Sequence, residues 1–88
     1  MNRPFRILLV EDEVMIAMGL ELELKRAGYP ECQRVVSGEE ALVRVAQEPP
    51  DLILMDIRLA GKLDGIETAR QIQAQTDIPI IFMTGYPD

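Results

Sequence analysis

Ile7-Leu8-Leu9-Val10-Glu11-Asp12-Glu13 is the stretch on which the reading turns. Four apolar residues run without alternation and then stop at three acids. A short unbroken apolar run suits a strand buried on both faces, as in a parallel sheet. The pattern after it is helical: Ile16, Leu20, Leu24 and Ala27 recur at helical spacing from Glu13 to Ala27, with Gly28 as the C-terminal cap. Leu20 to Leu24 also alternates like a strand, but length and helix-forming composition favour a helix. Met15, Met18 and Leu22 form a second apolar stripe on it, suited to packing, to partial exposure or to a dimer seam.

The same alternation of element types continues along the chain. Cys32 to Val36 reads as a second strand. Ser37-Gly38-Glu39-Glu40 is a capping box that opens a helix with Ala41, Leu42, Val45 and Ala46 on one face, and Pro49-Pro50 stops it. Asp51 to Met55 reads as a third buried strand ending at Asp56. Asp64-Gly65-Ile66-Glu67 is a second capping box, and its helix carries Ile66, Ala69 and Ile72. Pro79 to Met83 is a fourth strand, and Thr84 to Asp88 a loop. The order βαβαβαβ predicts one α/β domain over residues 1–88, with a parallel sheet and right-handed crossovers. With no helix after its last strand, the chain reads as a domain cut short.

Composition narrows the function. The 88 residues carry 9 Lys and Arg against 15 Asp and Glu, a net charge of −6. That disfavours direct nucleic-acid binding, which needs clustered cations. No His is present, which excludes His-ligated zinc and His general bases. The single Cys32, read as a small apolar strand residue, cannot form an internal disulfide, so a reducing, cytoplasmic setting is expected. No apolar run approaches the ~20 residues of a membrane span, and no signal peptide precedes the first strand.

Ligands of open α/β sheets bind beyond the carboxyl ends of the strands. Glu11 and Asp12 follow the first strand, Asp56 the third and Thr84 the fourth. Adjacent parallel strands lie about 4.8 Å apart, so three carboxylates crowd one spot and repel one another unless a hard divalent cation such as Mg²⁺ joins them. Each acid alone is equally a helix cap or a solvated loop charge, and Asp12 in particular is a candidate cap for the first helix. Beside Mg²⁺, a carboxylate can attack phosphorus and a Thr84 hydroxyl can bond the phosphoryl oxygens. No Gly-rich phosphate loop follows the first strand. A Mg²⁺-dependent phosphatase of the haloacid-dehalogenase type would need a second Asp two residues after Asp56, where Arg58 stands.

Ile7 to Glu13, Asp51 to Ile57, Asp64-Gly65 and Pro79 to Gly85 together resemble the receiver domain of two-component response regulators, a likeness that runs from residue 5 to 86. The resemblance implies a flavodoxin-like sheet of order 2-1-3-4-5, with the fifth strand and last helices missing here. It also implies phosphoryl transfer to Asp56 from a sensor histidine kinase or phosphotransfer protein, the chain being a phosphoacceptor rather than an enzyme. Glu11, Asp12, Asp56 and the backbone carbonyl of Arg58 match the Mg²⁺ ligands, with Asp12 a direct ligand and Glu11 acting through water. Thr84 matches the switch hydroxyl. The Lys and the switch aromatic of the family's fifth strand have no counterpart, and Lys62 reads as a solvated loop charge. A second expectation follows: a truncated, self-associating fragment without competent phosphotransfer. An apolar edge at Pro79 to Met83 and an uncovered first helix then favour a homodimer.

Overall fold

The computed structural model describes residues 3–83. Ile7–Val10 forms β1, Val14–Arg26 α1, Cys32–Val35 β2, Gly38–Gln47 α2, Leu52–Asp56 β3, Gly65–Gln73 α3 and Ile80–Met83 β4. The four strands are parallel and lie in the order β2-β1-β3-β4. The expected flavodoxin-like doubly wound sheet is therefore present, and strand order reverses between β1 and β3. The loop expected over Thr84 to Asp88 lies outside the described residues.

Register and alternation set the two faces. Val10 pairs with both Val35 and Met55, and Ile7 with Cys32 and Leu52. Leu8, Val10, Ile53 and Met55 share one face and form the core with Ala41 and Val45 of α2 and Ile72 of α3. Right-handed crossovers send α1 to the opposite face, because β1 to β2 runs one way along the sheet and β2 to β3 to β4 the other. There Ile7 and Leu9 are buried with Ala17, while Met15 is 81% and Ile81 53% exposed. α1 thus covers only part of its face.

The helix ends follow their local chemistry. Gly28 adopts φ +100°, and its N–H donates to the Lys25 carbonyl while that of Tyr29 donates to Leu24 at 2.8 Å. This is a Schellman closure, which requires a left-handed residue. Ser37 Oγ accepts from Glu40 N–H, but Glu40 reaches back to the N–H of Val36 rather than Ser37. Asp64 accepts from Glu67 N–H at 2.8 Å, whereas Glu67 turns outward to Arg70 and Gln71. The second capping box is half formed.

Three expectations about buried faces need correction. Ile66 is 42% exposed, and the inward stripe of α3 is Gly65, Thr68, Ala69 and Ile72. Ala46 and Ala27 are exposed as well, the latter because it is the C-cap of α1. Positions 65, 68, 69 and 72 keep the i, i+3, i+4, i+7 spacing of one helix face, and Ile66 lies off that face.

Asp51 precedes β3 instead of belonging to it. It accepts from Arg6 N–H at 2.7 Å and from Nη1 and Nη2 of Arg3 at 2.8 Å each, so it ties the N-terminal segment to the edge of the core. That bonding holds the Asp51 carboxyl below its ordinary value. Gly28→Ala should destabilise the domain by about 1–2 kcal/mol, the cost of left-handed backbone in an L-residue. A urea titration with a lower midpoint and an unchanged slope is the expected result.

Candidate metal and phosphoacceptor site

The acidic cluster is a consequence of register. Val10 and Met55 are partners in adjacent strands, so the residues that follow them, Glu11 and Asp56, emerge side by side and on one face. Glu11, 4% exposed, and Asp56, 8% exposed, lie at the bottom of the site. Asp12 stands at its rim. One carboxylate oxygen from each lies within 4.8 Å of the others. The structure thus brings together three of the residues expected from the sequence, at the point where strand order reverses.

Each carboxylate is oriented by one backbone N–H. Glu11 accepts from Glu13 at 3.0 Å, Asp56 Oδ1 from Arg58 at 3.1 Å and Asp12 Oδ2 from Ala60 at 3.1 Å. Asp12 does not cap α1; Glu13 occupies the N-cap position, without a side-chain hydrogen bond. Among the described residues no ion pair reaches the three acids, since the pairs found are Arg3–Asp51, Arg6–Glu48, Arg26–Glu23 and Arg70–Glu67. Burial pushes the Glu11 carboxyl above its ordinary value, and the neighbouring Asp56 and Asp12 add to the shift, against the lowering effect of the Glu13 N–H. A carboxylate cluster with Glu11 and Asp56 buried, no ion-pair partner among the described residues and only oxygen donors fits a hard divalent cation.

Arg58 is exposed in the turn after β3, its N–H engaged with Asp56. Lys62 is exposed in the same loop. Thr84 lies outside the described residues, one position beyond Met83, the β4 partner of Asp56. One contact escaped the sequence reading: the Ala60 N–H that holds Asp12 depends on the path of the loop, which no local pattern encodes. The sequence marks Asp64-Gly65 as a motif of the chain, without a role for the glycine.

A doubly wound parallel sheet with an acidic cluster at its switch point defines a receiver-type α/β domain. The sequence matches the response regulator receiver domain family over residues 7–88. It is 39% identical over 82 residues to the transcriptional regulatory protein AfsQ1 of Streptomyces coelicolor, a match covering 93% of this chain and 36% of that protein. Among solved structures, the N-terminal domain of a response regulator/sensory box/GGDEF 3-domain protein from Carboxydothermus hydrogenoformans is 37% identical. It superposes with a TM-score of 0.87, over 94% of this chain and 66% of that one. The signal receiver domain of a modulated diguanylate cyclase from Desulfovibrio desulfuricans G20 is 39% identical, with a TM-score of 0.86, over 96% and 67%.

The chain belongs to the response regulator receiver domain family. Its role is that of a receiver domain of two-component signalling, and it spans about a third of the length of AfsQ1. No helix among the described residues is long and apolar enough to cross a membrane.

The direction of the Glu11 shift gives a pH dependence. A carboxyl whose folded pKa is raised contributes stability below its unfolded value, near 4.5, and loses it as pH rises through the folded value. Asp51, lowered from 3.8, acts oppositely: its contribution is present above 3.8 and lost as pH falls through the depressed value. Metal-free protein in chelator should therefore gain stability from pH 7 toward about pH 4.5 and lose it below 3.8. Thermal melts across that range check the sign.

Proposed function

We propose that this domain accepts a phosphoryl group on the carboxylate of Asp56 from the phosphohistidine of a sensor histidine kinase or phosphotransfer protein. The observation that carries the reading is the convergence of Glu11, Asp12 and Asp56 at the ends of β1 and β3. In the reaction, an Asp56 oxygen forms a bond to phosphorus as the phosphorus–nitrogen bond breaks. The electron pair leaves with the donor imidazole, and the product is an acyl phosphate. The donor imidazole belongs to the partner, in keeping with a chain that contains no His.

Glu11, Asp12, Asp56 and the Arg58 carbonyl would hold Mg²⁺. When bound, Mg²⁺ supplies charge neutralisation for the transferring group. The three carboxylates, with one oxygen of each within 4.8 Å of the others, would supply the oxygen donors that such an ion takes. Arg58 N–H, bonded to Oδ1, fixes the plane of the nucleophilic carboxylate. Thr84, next after the β4 partner of Asp56, would bond the phosphoryl oxygens. The family and the lone half-buried Cys32 support a cytoplasmic location.

A second reading concerns assembly. Met15, Met18 and Leu22 of α1 and Ile81 and Phe82 of β4 are exposed, and β4 is an outer strand. Apolar surface beside an open strand edge favours a homodimer. Light scattering at tens of micromolar should give twice the mass of one chain; the mass of one chain would overturn the dimer.

Two experiments test the phosphoacceptor reading. Incubation with Mg²⁺ and acetyl phosphate should add one phosphoryl group by intact mass, labile to hydroxylamine. Label persisting in Asp56→Ala, or found on Thr84, would overturn it. Asp12→Ala and Asp56→Asn should each weaken Mg²⁺ binding by at least about tenfold, or roughly 1.4 kcal/mol, by titration calorimetry. In chelator, Asp56→Asn should melt higher than the parent chain, since one buried like charge is gone.

A further inference from the structure

Gly65 is the first residue of α3 and is buried. Its backbone needs no glycine: the positive-φ glycines of the described residues are Gly28 and Gly61. Space is the constraint. A Cβ at position 65 would lie 2.0 Å from the carbonyl oxygen of Asp56 and 2.9 Å from both the Asp56 carbonyl carbon and Ile57 Cα. All three are backbone atoms, so no rotamer change relieves the overlap. The Gly65 N–H donates to the Ile57 carbonyl at 3.0 Å. The first turn of α3 therefore rests directly on the peptide that carries Asp56.

α3 is braced from behind. Thr68 is fully buried and its hydroxyl donates to the Asp64 carbonyl at 2.7 Å. A Cβ on Gly38, at the start of α2, would stand 2.1 Å from Thr68 Oγ1 and 3.0 Å from Leu63 Cβ. α2 thus closes the space into which α3 would otherwise withdraw. A side chain at position 65 displaces the Asp56–Ile57 peptide instead.

We infer that Gly65 is a positioning residue for the Asp56 carboxylate: the contact of α3 with the Asp56 peptide sets where that carboxylate stands relative to Glu11 and Asp12. The inference rests on the reading of Asp56 as metal ligand and phosphoacceptor, and it concerns a residue that touches neither ion nor phosphoryl group. Displacement by a fraction of an ångström loosens a three-carboxylate site, and misplacement of a reacting group by about 1 Å costs on the order of a hundredfold in rate.

The test compares the parent chain, Gly65→Ala and Gly19→Ala, whose Cβ would meet nothing within 4 Å. Mg²⁺ affinity is read by titration calorimetry below the melting transition, and labelling by acetyl phosphate at saturating Mg²⁺ by intact mass. Gly65→Ala should weaken Mg²⁺ by about tenfold and slow labelling at least as much, with Gly19→Ala unchanged in both. A merely structural role would lower the melting temperature of Gly65→Ala but leave affinity and rate of the folded protein intact, and that result overturns the inference. Should Gly65→Ala not fold, Gly38→Ala decides. It presses on α3 through the Thr68 side chain, so it should weaken Mg²⁺ and be restored by adding Thr68→Ala; unchanged affinity overturns the inference. A parent chain that neither binds Mg²⁺ nor accepts label defeats the phosphoacceptor reading itself, whereas a competent parent with an equally competent Gly65→Ala defeats only the role of Gly65.

Discussion

Everything at the business end of this domain depends on holding three carboxylates together against their mutual repulsion. Repulsion alone would spread them into solvent. The pairing of β1 with β3 prevents it, because Val10 and Met55 are locked in register and fully buried. A slip of one residue would swap the side chains of the strand between faces and break the packing of Leu8, Val10, Ile53 and Met55 in the core with α2 and α3. The apolar sheet therefore enforces an arrangement of Glu11 and Asp56 that their charges oppose. Backbone N–H groups of Glu13, Arg58 and Ala60 offset part of the strain, one to each carboxylate. The site stays short of positive charge, an environment that suits a cation.

Coverage of the sheet is asymmetric for the same topological reason. Order β2-β1-β3-β4 places α2 and α3 on one face and α1 on the other. The continuous core lies between the sheet and α2 and α3, while α1 shelters β1 and leaves Leu52 and Leu54 half-buried and Ile81 exposed. The closest packing lies behind the site, on the side where Gly38, Thr68 and Gly65 meet. On the opposite face Met15, Met18 and Leu22 of α1 and Ile81 of β4 are exposed.

Sheet and site were legible because each rests on short-range pattern. Ile7 to Val10 and Leu52 to Met55 are unbroken apolar runs, and residues directly after such runs stand at strand ends, so Glu11, Asp12 and Asp56 could be placed before any coordinates. Helix faces were less legible where packing used small residues. Ile66, Ala69 and Ile72 keep helical spacing, yet Thr68 and Gly65 are what α3 buries beside Ala69 and Ile72. Hydrophobicity does not register a glycine or a threonine chosen for closeness. Capping boxes were legible in half: Ser37 and Asp64 accept as expected, but the return bonds of Glu40 and Glu67 depended on neighbours outside the motif. The hold of Ala60 on Asp12 spans 48 residues of sequence and has no local trace.

The loop between β3 and α3 shows why those nonlocal contacts matter. It is fastened at Arg58 to Asp56, at Ala60 to Asp12 and at Ile57 to Gly65, with Leu59 buried between and Gly61 turning the chain at φ +102°. Two of the three fastenings use the same carboxylates that form the acidic cluster. A charged acceptor makes a stronger hydrogen bond than a neutral one, so any event that changes the charge on Asp12 or Asp56 changes the strength with which Ala60 and Arg58 are held. The third fastening passes the strand end directly to α3, and Thr68 passes α3 to Gly38 of α2. The acidic cluster and the placement of two helices are thus joined by short contacts: backbone N–H groups at the carboxylates, the Gly65–Asp56 backbone approach at α3, and the Thr68 side chain between α3 and α2.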